Sequence, residues 1–130
     1  MKTKKGFSKE VIEAIDKERI LGIRMGTDSE HKVIGIWAVV VNGRVFVRSY
    51  TTKPNGWWQT VLKDPHGEIF PAKRKRGIKV RAVQIKSEAL KDAVSKAYKE
   101  KYNTPGSVGY VEEMSQKKLR DTTTEFVLES

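Results

Sequence analysis

The chain is predicted to fold as an α+β domain, a small antiparallel β-barrel with helices at its ends. Three observations lead there. At least five strand-like runs stand against few helical patterns. The connections between successive runs are short, which forces antiparallel pairing. The elements come in the order α, β, hairpin, short α, hairpin, long α, short α, β, which suits a closed sheet capped by helices. With 130 residues there is room for one hydrophobic core and not for two. A single domain over residues 1–130 is therefore expected, with residues 1–7 as a flexible basic lead-in.

Ser8 can cap a helix over residues 9–17, with Glu10 in its first turn and Val11, Ile12 and Ile15 on one face. Leu21, Ile23 and Met25 alternate with Ile20, Gly22 and Arg24, the period of a strand. Residues 26–31 read as a loop. Residues 33–41 are rich in β-branched side chains, run into Asn42-Gly43, and are answered by alternation over residues 44–50. Asn-Gly between two such runs marks a type I′ hairpin, because both residues tolerate positive φ. Asn55 could cap a short helix over residues 56–62, broken by Asp64-Pro65-His66-Gly67. Residues 68–72 and 78–85 form a second hairpin around Lys73-Arg74-Lys75-Arg76-Gly77. Ser87 caps the longest helix, to about Tyr102, with Leu90, Val94, Ala97, Tyr98 and Lys101 in one stripe. Pro105-Gly106 ends that region. A short irregular or helical piece holds Val111, Met114 and Leu119, and residues 122–128 make the last strand.

Composition narrows the function. The chain carries 26 Lys plus Arg against 16 Asp plus Glu, a formal charge of +10. That excess favours an anionic partner without choosing among nucleic acid, membrane surface and phosphorylated small molecule. The chain has no cysteine, which removes disulfides, thiolate metal sites and thiol nucleophiles together. The basic N-terminus leads into no apolar segment, and the longest apolar run is too short to cross a bilayer as a helix. A cytoplasmic protein without membrane attachment is expected.

The first hairpin carries the main functional signal. A two-residue turn at Asn42-Gly43 places Arg48 opposite Trp37 and Phe46 opposite Val39. Period two then puts Ile36, Ala38, Val40, Val45, Val47 and Ser49 on one face, small and aliphatic, which is assigned to the barrel core. The other face carries Trp37, Val39, Val41, Arg44, Phe46, Arg48 and Tyr50. It is too aromatic for solvent and too basic for a core, so it suits a binding crevice or a subunit interface, with Trp37 and Arg48 as a cation–π pair. The alternative is a cross-strand Trp–Arg pair covered by a helix, with no ligand. After the strand, residues 48–53 supply two cations, several hydroxyls and free backbone N–H groups that could hold a phosphate. Trp57 and Trp58 follow. Trp58 is assigned to the core, while Trp57 either walls a ring site or anchors its helix. The candidate cofactor-binding residues are Trp37, Arg48, Ser49, Tyr50, Lys53 and Trp57.

Other signals are weaker. Residues 73–76 could grip nucleic-acid phosphates, but four charges at a hairpin tip usually make a solvated loop, so specific nucleic-acid binding is not expected. His31 and His66 lack companion ligands, so no metal site is expected. Gly106-Ser107-Val108-Gly109 matches an RNA-clamping GxxG in an unsuitable order of elements. No phosphate-binding or nucleophile motif is present. Asp92, Glu100, Glu112 and Glu113 lie on helix surfaces, leaving hydrolysis without a candidate constellation.

Several segments together resemble a known family. They are Ile36-Trp37-Ala38-Val39-Val40, Val45-Phe46-Val47-Arg48-Ser49-Tyr50, Gly56-Trp57-Trp58, Ala97-Tyr98-Lys99-Glu100-Lys101-Tyr102 and Thr122-Thr123-Thr124. Over residues 20–128 the chain resembles the bacterial family catalogued as domain of unknown function 2255. That family is similar in fold to the FMN-binding split barrels, including pyridoxamine-phosphate-oxidase-like proteins and deazaflavin-dependent nitroreductases. The resemblance implies a split β-barrel, a homodimer, and a flavin in a crevice between barrel and partner, with basic residues on its phosphate. Deazaflavin-dependent relatives carry a Gly-Arg-Lys-Ser-Gly-type loop, where this chain has Gly26-Thr27-Asp28-Ser29-Glu30-His31-Lys32. Acidic Asp28 and Glu30 at that place argue against deazaflavin and leave FMN as the candidate. The expected function is binding of a flavin or related phosphorylated cofactor near a dimer interface, with oxidoreductase chemistry. The rival is a non-catalytic domain that binds a small anionic ligand or another protein. A basic nucleic-acid binder ranks third.

Overall fold

In the computed structural model, which describes residues 6–27, 32–54 and 56–129, the chain begins with helix α1 (Lys9–Lys17) and strand β1 (Leu21–Met25). Strands β2 (Ile34–Ile36), β3 (Ala38–Val41) and β4 (Arg44–Val47) follow, then α2 (Trp57–Lys63) and β5 (His66–Phe70). A single 3₁₀ turn, Pro71–Lys73, leads to β6 (Ile78–Gln84). The chain closes with α3 (Glu88–Lys101), α4 (Pro105–Met114), α5 (Lys117–Arg120) and β7 (Thr124–Leu128). Of the expected lead-in at residues 1–7, residues 1–5 lie outside the described residues, as do residues 28–31 of the loop at 26–31 and the Asn55 cap, while Phe7 packs against the barrel core.

All seven strands form one antiparallel sheet in the order β2-β1-β5-β6-β7-β4-β3. Its two outermost strands, β2 and β3, are consecutive in sequence and separated only by Trp37. The sheet must therefore curl until its edges meet, giving a nearly closed barrel. The fold is α+β with a barrel, as the sequence predicts. The run at residues 33–41 is not one strand, however. It breaks at Trp37, its first part pairing with β1 and its second with β4.

Local signals explain most elements. The Ser8 and Ser87 hydroxyls accept from Val11 N (3.2 Å) and Leu90 N (3.1 Å), capping α1 and α3. Asn42 and Gly43 hold φ of 52° and 74° and set the register Val41↔Arg44 and Val39↔Phe46. Strand β5 stops at Phe70 rather than Ala72, because Pro71 has no N–H to continue the ladder. Pro105 does not end a region but occupies the first turn of α4, where its missing N–H costs nothing. The GxxG of residues 106–109 lies within that helix, so it forms no clamping loop.

The predicted division of the hairpin faces holds. Ala38, Val45 and Val47 are buried with Ile23, Ile69, Val80 and Phe126 inside the barrel, and Val11 and Ile15 of α1 close onto that core. The opposite face is covered within the same chain. Val39 and Phe46 pack under Val94, Tyr98 and Tyr102 of α3 and under Val111 and Met114 of α4. A helix therefore shields the residues whose apolar character had suggested a subunit interface. Among the described residues no helix is long and apolar enough to cross a membrane.

Candidate functional site

The site is built on the break at Trp37. The β3–β4 ladder ends at the pair Ala38↔Val47. At the next pair, Trp37 and Arg48, the Tyr98 hydroxyl stands in for the missing ladder bond. It donates to Trp37 O (2.8 Å) and accepts from Arg48 N (3.0 Å). One turn along α3, Lys101 Nζ donates to Ala38 O and Ile15 O, both at 2.7 Å. The Tyr102 hydroxyl accepts from Ala38 N (3.1 Å) and donates to Arg19 O (2.7 Å). Tyr98 and Lys101 of α3, with Tyr102 at its C-terminal cap, thus hold backbone groups at the break and at the end of α1. The Tyr102 ring also stacks on Trp37, centroids 4.3 Å apart and planes 6° from parallel.

This staple has a pH signature. Burial pushes the Lys101 ammonium down to about 8, below its ordinary 10.5, with Asp16 and Glu18 opposing the shift and Arg19 adding to it. The folded state therefore binds this proton less tightly than the unfolded chain. Between about pH 8 and pH 10 the unfolded state holds more protons, so the contribution of Lys101 to stability rises with pH. The neutral amine keeps two N–H groups for the same two carbonyls. Above about pH 10 the buried Tyr98 and Tyr102, whose hydroxyls burial holds above their ordinary range, act in the opposite direction. Thermal melts from pH 8 to 10 are expected to show a gain in wild type that is absent in Lys101→Met; parallel curves would contradict it.

The Arg48 guanidinium is held from inside the protein. Its side chain is only 3% exposed. Nε donates to Thr123 Oγ1 (2.8 Å), Nη1 to Ser95 Oγ (2.9 Å) and Met114 O (3.0 Å), and Nη2 to Lys91 O (2.8 Å). Four of its five N–H donors are thus taken up inside the protein. Desolvation lowers its pKa to about 10, which leaves it charged at neutral pH. Its guanidinium lies over Tyr98 (5.9 Å), whereas Trp37 has Arg19 beside it (5.7 Å), so the expected Trp37–Arg48 cation–π pair is not formed. Arg48 ties β4 to α3, to the end of α4 and to the approach to β7. Ser49 continues the pattern, its N–H donating to Thr122 Oγ1 (2.9 Å).

Above this scaffold lies a cavity of about 360 Å³. It is lined by Gly35, Ile36, Trp37, Arg48, Ser49, Tyr50, Thr51, Trp57, Tyr110 and Met114. Five of the six predicted site residues are brought together here: Trp37, Arg48, Ser49, Tyr50 and Trp57. Lys53 is not in the wall; it is exposed, and its N–H donates to Thr51 Oγ1 (3.1 Å) in the following loop. Tyr110 was missed. Its signal was its place four residues before Met114, one face of a helix. The Tyr110 ring meets Tyr50 (5.4 Å, 66°) and Trp37 (6.2 Å, 84°) edge to face. The Tyr50 hydroxyl donates to the Glu113 carboxylate, and that bond raises its pKa to about 12. Trp57 lines the cavity and leans on Phe126 of the core (6.2 Å). Trp58 donates from Nε1 to Gln84 Oε1 (2.9 Å).

The remaining candidates lie elsewhere. The basic residues 73–76 are exposed at the β5–β6 connection, and none lines the cavity. A second cleft lies beside Arg24, His66, Glu68 and Lys79, with Arg24 and Glu68 paired across β1 and β5 (2.6 Å) and His66 2.8 Å from Glu129 just beyond β7. Among the described residues no cluster of three metal-ligating side chains occurs.

A barrel stapled by one helix, with an aromatic cavity at the seam, defines a class of small α+β barrel proteins. The chain belongs to the family described as an uncharacterized protein conserved in bacteria (DUF2255), whose model matches residues 10–126. Two solved structures share the fold. One is a conserved hypothetical protein from Mycobacterium tuberculosis, at TM-score 0.59 and 14% identity, covering 95% of this chain and 81% of that one. The other is described as an FAD-binding protein from Mesorhizobium loti, at TM-score 0.59 and 10% identity, covering 97% and 93%. Among curated proteins nothing matches this chain.

Proposed function

We propose that the protein binds the ring of a flavin in the cavity at the Trp37 seam. The carrying observation is the aromatic wall. Trp37, Tyr50, Trp57 and Tyr110 converge on one apolar cavity whose volume, about 360 Å³, lies at the low end for ligand sites. Tyr102 occupies one face of Trp37, leaving the other face to a stacked ring. Thr51 and the Tyr50 hydroxyl offer polar contacts at the rim. The description of one structural neighbour as FAD-binding supports the same reading. A flavin would supply redox chemistry, and FMN is the form the family resemblance favours. This chain's residues would bind and orient the ring and exclude water from it, without themselves providing an acid, base or nucleophile.

Titration of flavin fluorescence with the protein is expected to show saturable quenching. Tyr110→Ala, which removes an exposed wall, should weaken binding about tenfold, the worth of a good aromatic contact. Absence of quenching with wild type would end the proposal.

The protein is further proposed to act as a two-fold homodimer. Ile34 (44% exposed), Tyr50 (46%) and Tyr110 (51%) leave apolar surface open beside the cavity, which a second copy would cover. Light scattering should give twice the chain mass; a monomer across a wide concentration range would contradict it. The rival, a non-catalytic domain for small ligands or proteins, keeps the cavity but predicts no colour in the purified protein.

A further inference from the structure

The cavity is built for a ring but not for a phosphate. Among the described residues Arg48 is the only cation lining it, and four of its N–H groups already have acceptors inside the protein. Redirecting the guanidinium to a ligand would strip those acceptors, a cost that a phosphate contact would first have to recover. Beyond the wall, Arg19 lies 5.7 Å from the Trp37 ring, with its Nη2 already donating to the Thr104 and Ser107 hydroxyls. Glu113 accepts the hydroxyl bond of Tyr50, so a carboxylate is fixed against a lining side chain. Lys53, which was to meet the phosphate, stands outside the wall on an exposed loop. A solvated lysine of that kind adds little to binding.

We infer that this site recognises its ligand through the ring alone, so that an uncharged flavin such as riboflavin is held about as tightly as its phosphorylated forms. The inference rests on the ring-binding reading above and narrows it to a ligand class. Ring contacts with Trp37, Tyr110 and Trp57 carry the affinity, and the ribityl tail with any phosphate runs out past Tyr50 and Thr51, away from the wall. Salt should then have little influence, because no ion pair is formed on binding.

The test compares riboflavin, FMN and FAD by fluorescence quenching with the wild-type protein, at low and at about 0.5 M salt. Dissociation constants for the three within tenfold of one another, and unchanged by salt, are the expected result. A preference of tenfold or more for FMN or FAD, weakened by salt, would show a phosphate site and overturn the inference while leaving the ring-binding reading intact. If none of the three binds, the ring-binding reading itself fails, and this inference with it. Glu113→Gln gives an independent check. Removing the carboxylate should leave the ratio of FMN to riboflavin affinity within a few fold at low salt, and a gain of tenfold or more for FMN would show that the phosphate lies at the wall and count against the argument.

Discussion

Replacing Arg48 with Met is expected to destabilise the ligand-free protein by about 3 kcal/mol, the order set by losing several charge-assisted bonds in a buried setting. For a chain of this length that corresponds to a fall of about 10 °C in melting temperature. The substitution leaves the Thr123 and Ser95 hydroxyls and the Met114 and Lys91 carbonyls without the donors they now share. Arg48→Lys should recover only part of the loss. One ammonium cannot span acceptors that the planar guanidinium reaches from three nitrogens at once. Were Arg48 instead the anion contact of the cavity, Arg48→Lys would leave the melting temperature of the free protein unchanged and alter only ligand affinity. Chemical denaturation of both variants separates the two cases, and wild-type stability in Arg48→Met would refute the structural role.

The same residue shows where sequence reasoning ends. Its register opposite Trp37 was legible, because an Asn-Gly turn fixes pairing by local geometry. Whether its charge faces a cavity or the protein interior depends on Lys91, Ser95, Met114 and Thr123, which lie 43 to 75 residues away. No local pattern encodes that choice. The break at Trp37 was hidden for a related reason. Residues 33–41 carry only Gly35 as a mark of interruption, and the break two residues on is held by the hydroxyls of Tyr98 and Tyr102. By contrast, both serine caps and the inward aliphatic face of the hairpin followed from short-range rules and were readable directly. Lys53 stands outside the cavity wall, and a loop of mixed hydroxyls and cations carries no pattern that says which way its side chains turn. The stripe on α3 was read as Leu90, Val94, Ala97, Tyr98 and Lys101, and Val94 and Tyr98 are buried in the core beneath it, with Tyr102 beside them. The polar ends of Tyr98, Lys101 and Tyr102 also hold the seam, a role that depends on carbonyls 61 to 86 residues away.

Tyr102 joins the fold to the cavity, and two substitutions separate its contributions. Tyr102 is fully buried. Its hydroxyl serves Ala38 N and Arg19 O, and its ring supports Trp37 from behind. Tyr102→Phe keeps the ring and deletes the hydroxyl, leaving a buried backbone donor unsatisfied at a cost of about 1–3 kcal/mol. Trp37 should stay in place, so flavin quenching should survive with a similar dissociation constant. Tyr102→Ala removes both and opens a void beside Trp37 and Tyr98, for which about 3–5 kcal/mol is expected. Without its stacked partner Trp37 can turn into that void, and the cavity loses the flat wall on which a ring would lie. Ring binding should then fall well below that of the Phe variant, even at temperatures where the Ala variant remains folded. Near-ultraviolet circular dichroism reports the Trp37 environment independently of any ligand and should change in Tyr102→Ala while remaining close to wild type in Tyr102→Phe. If the two variants instead lose ring binding equally, the hydroxyl rather than the stacked ring sets the cavity, and the seam at Ala38 becomes the element that positions Trp37.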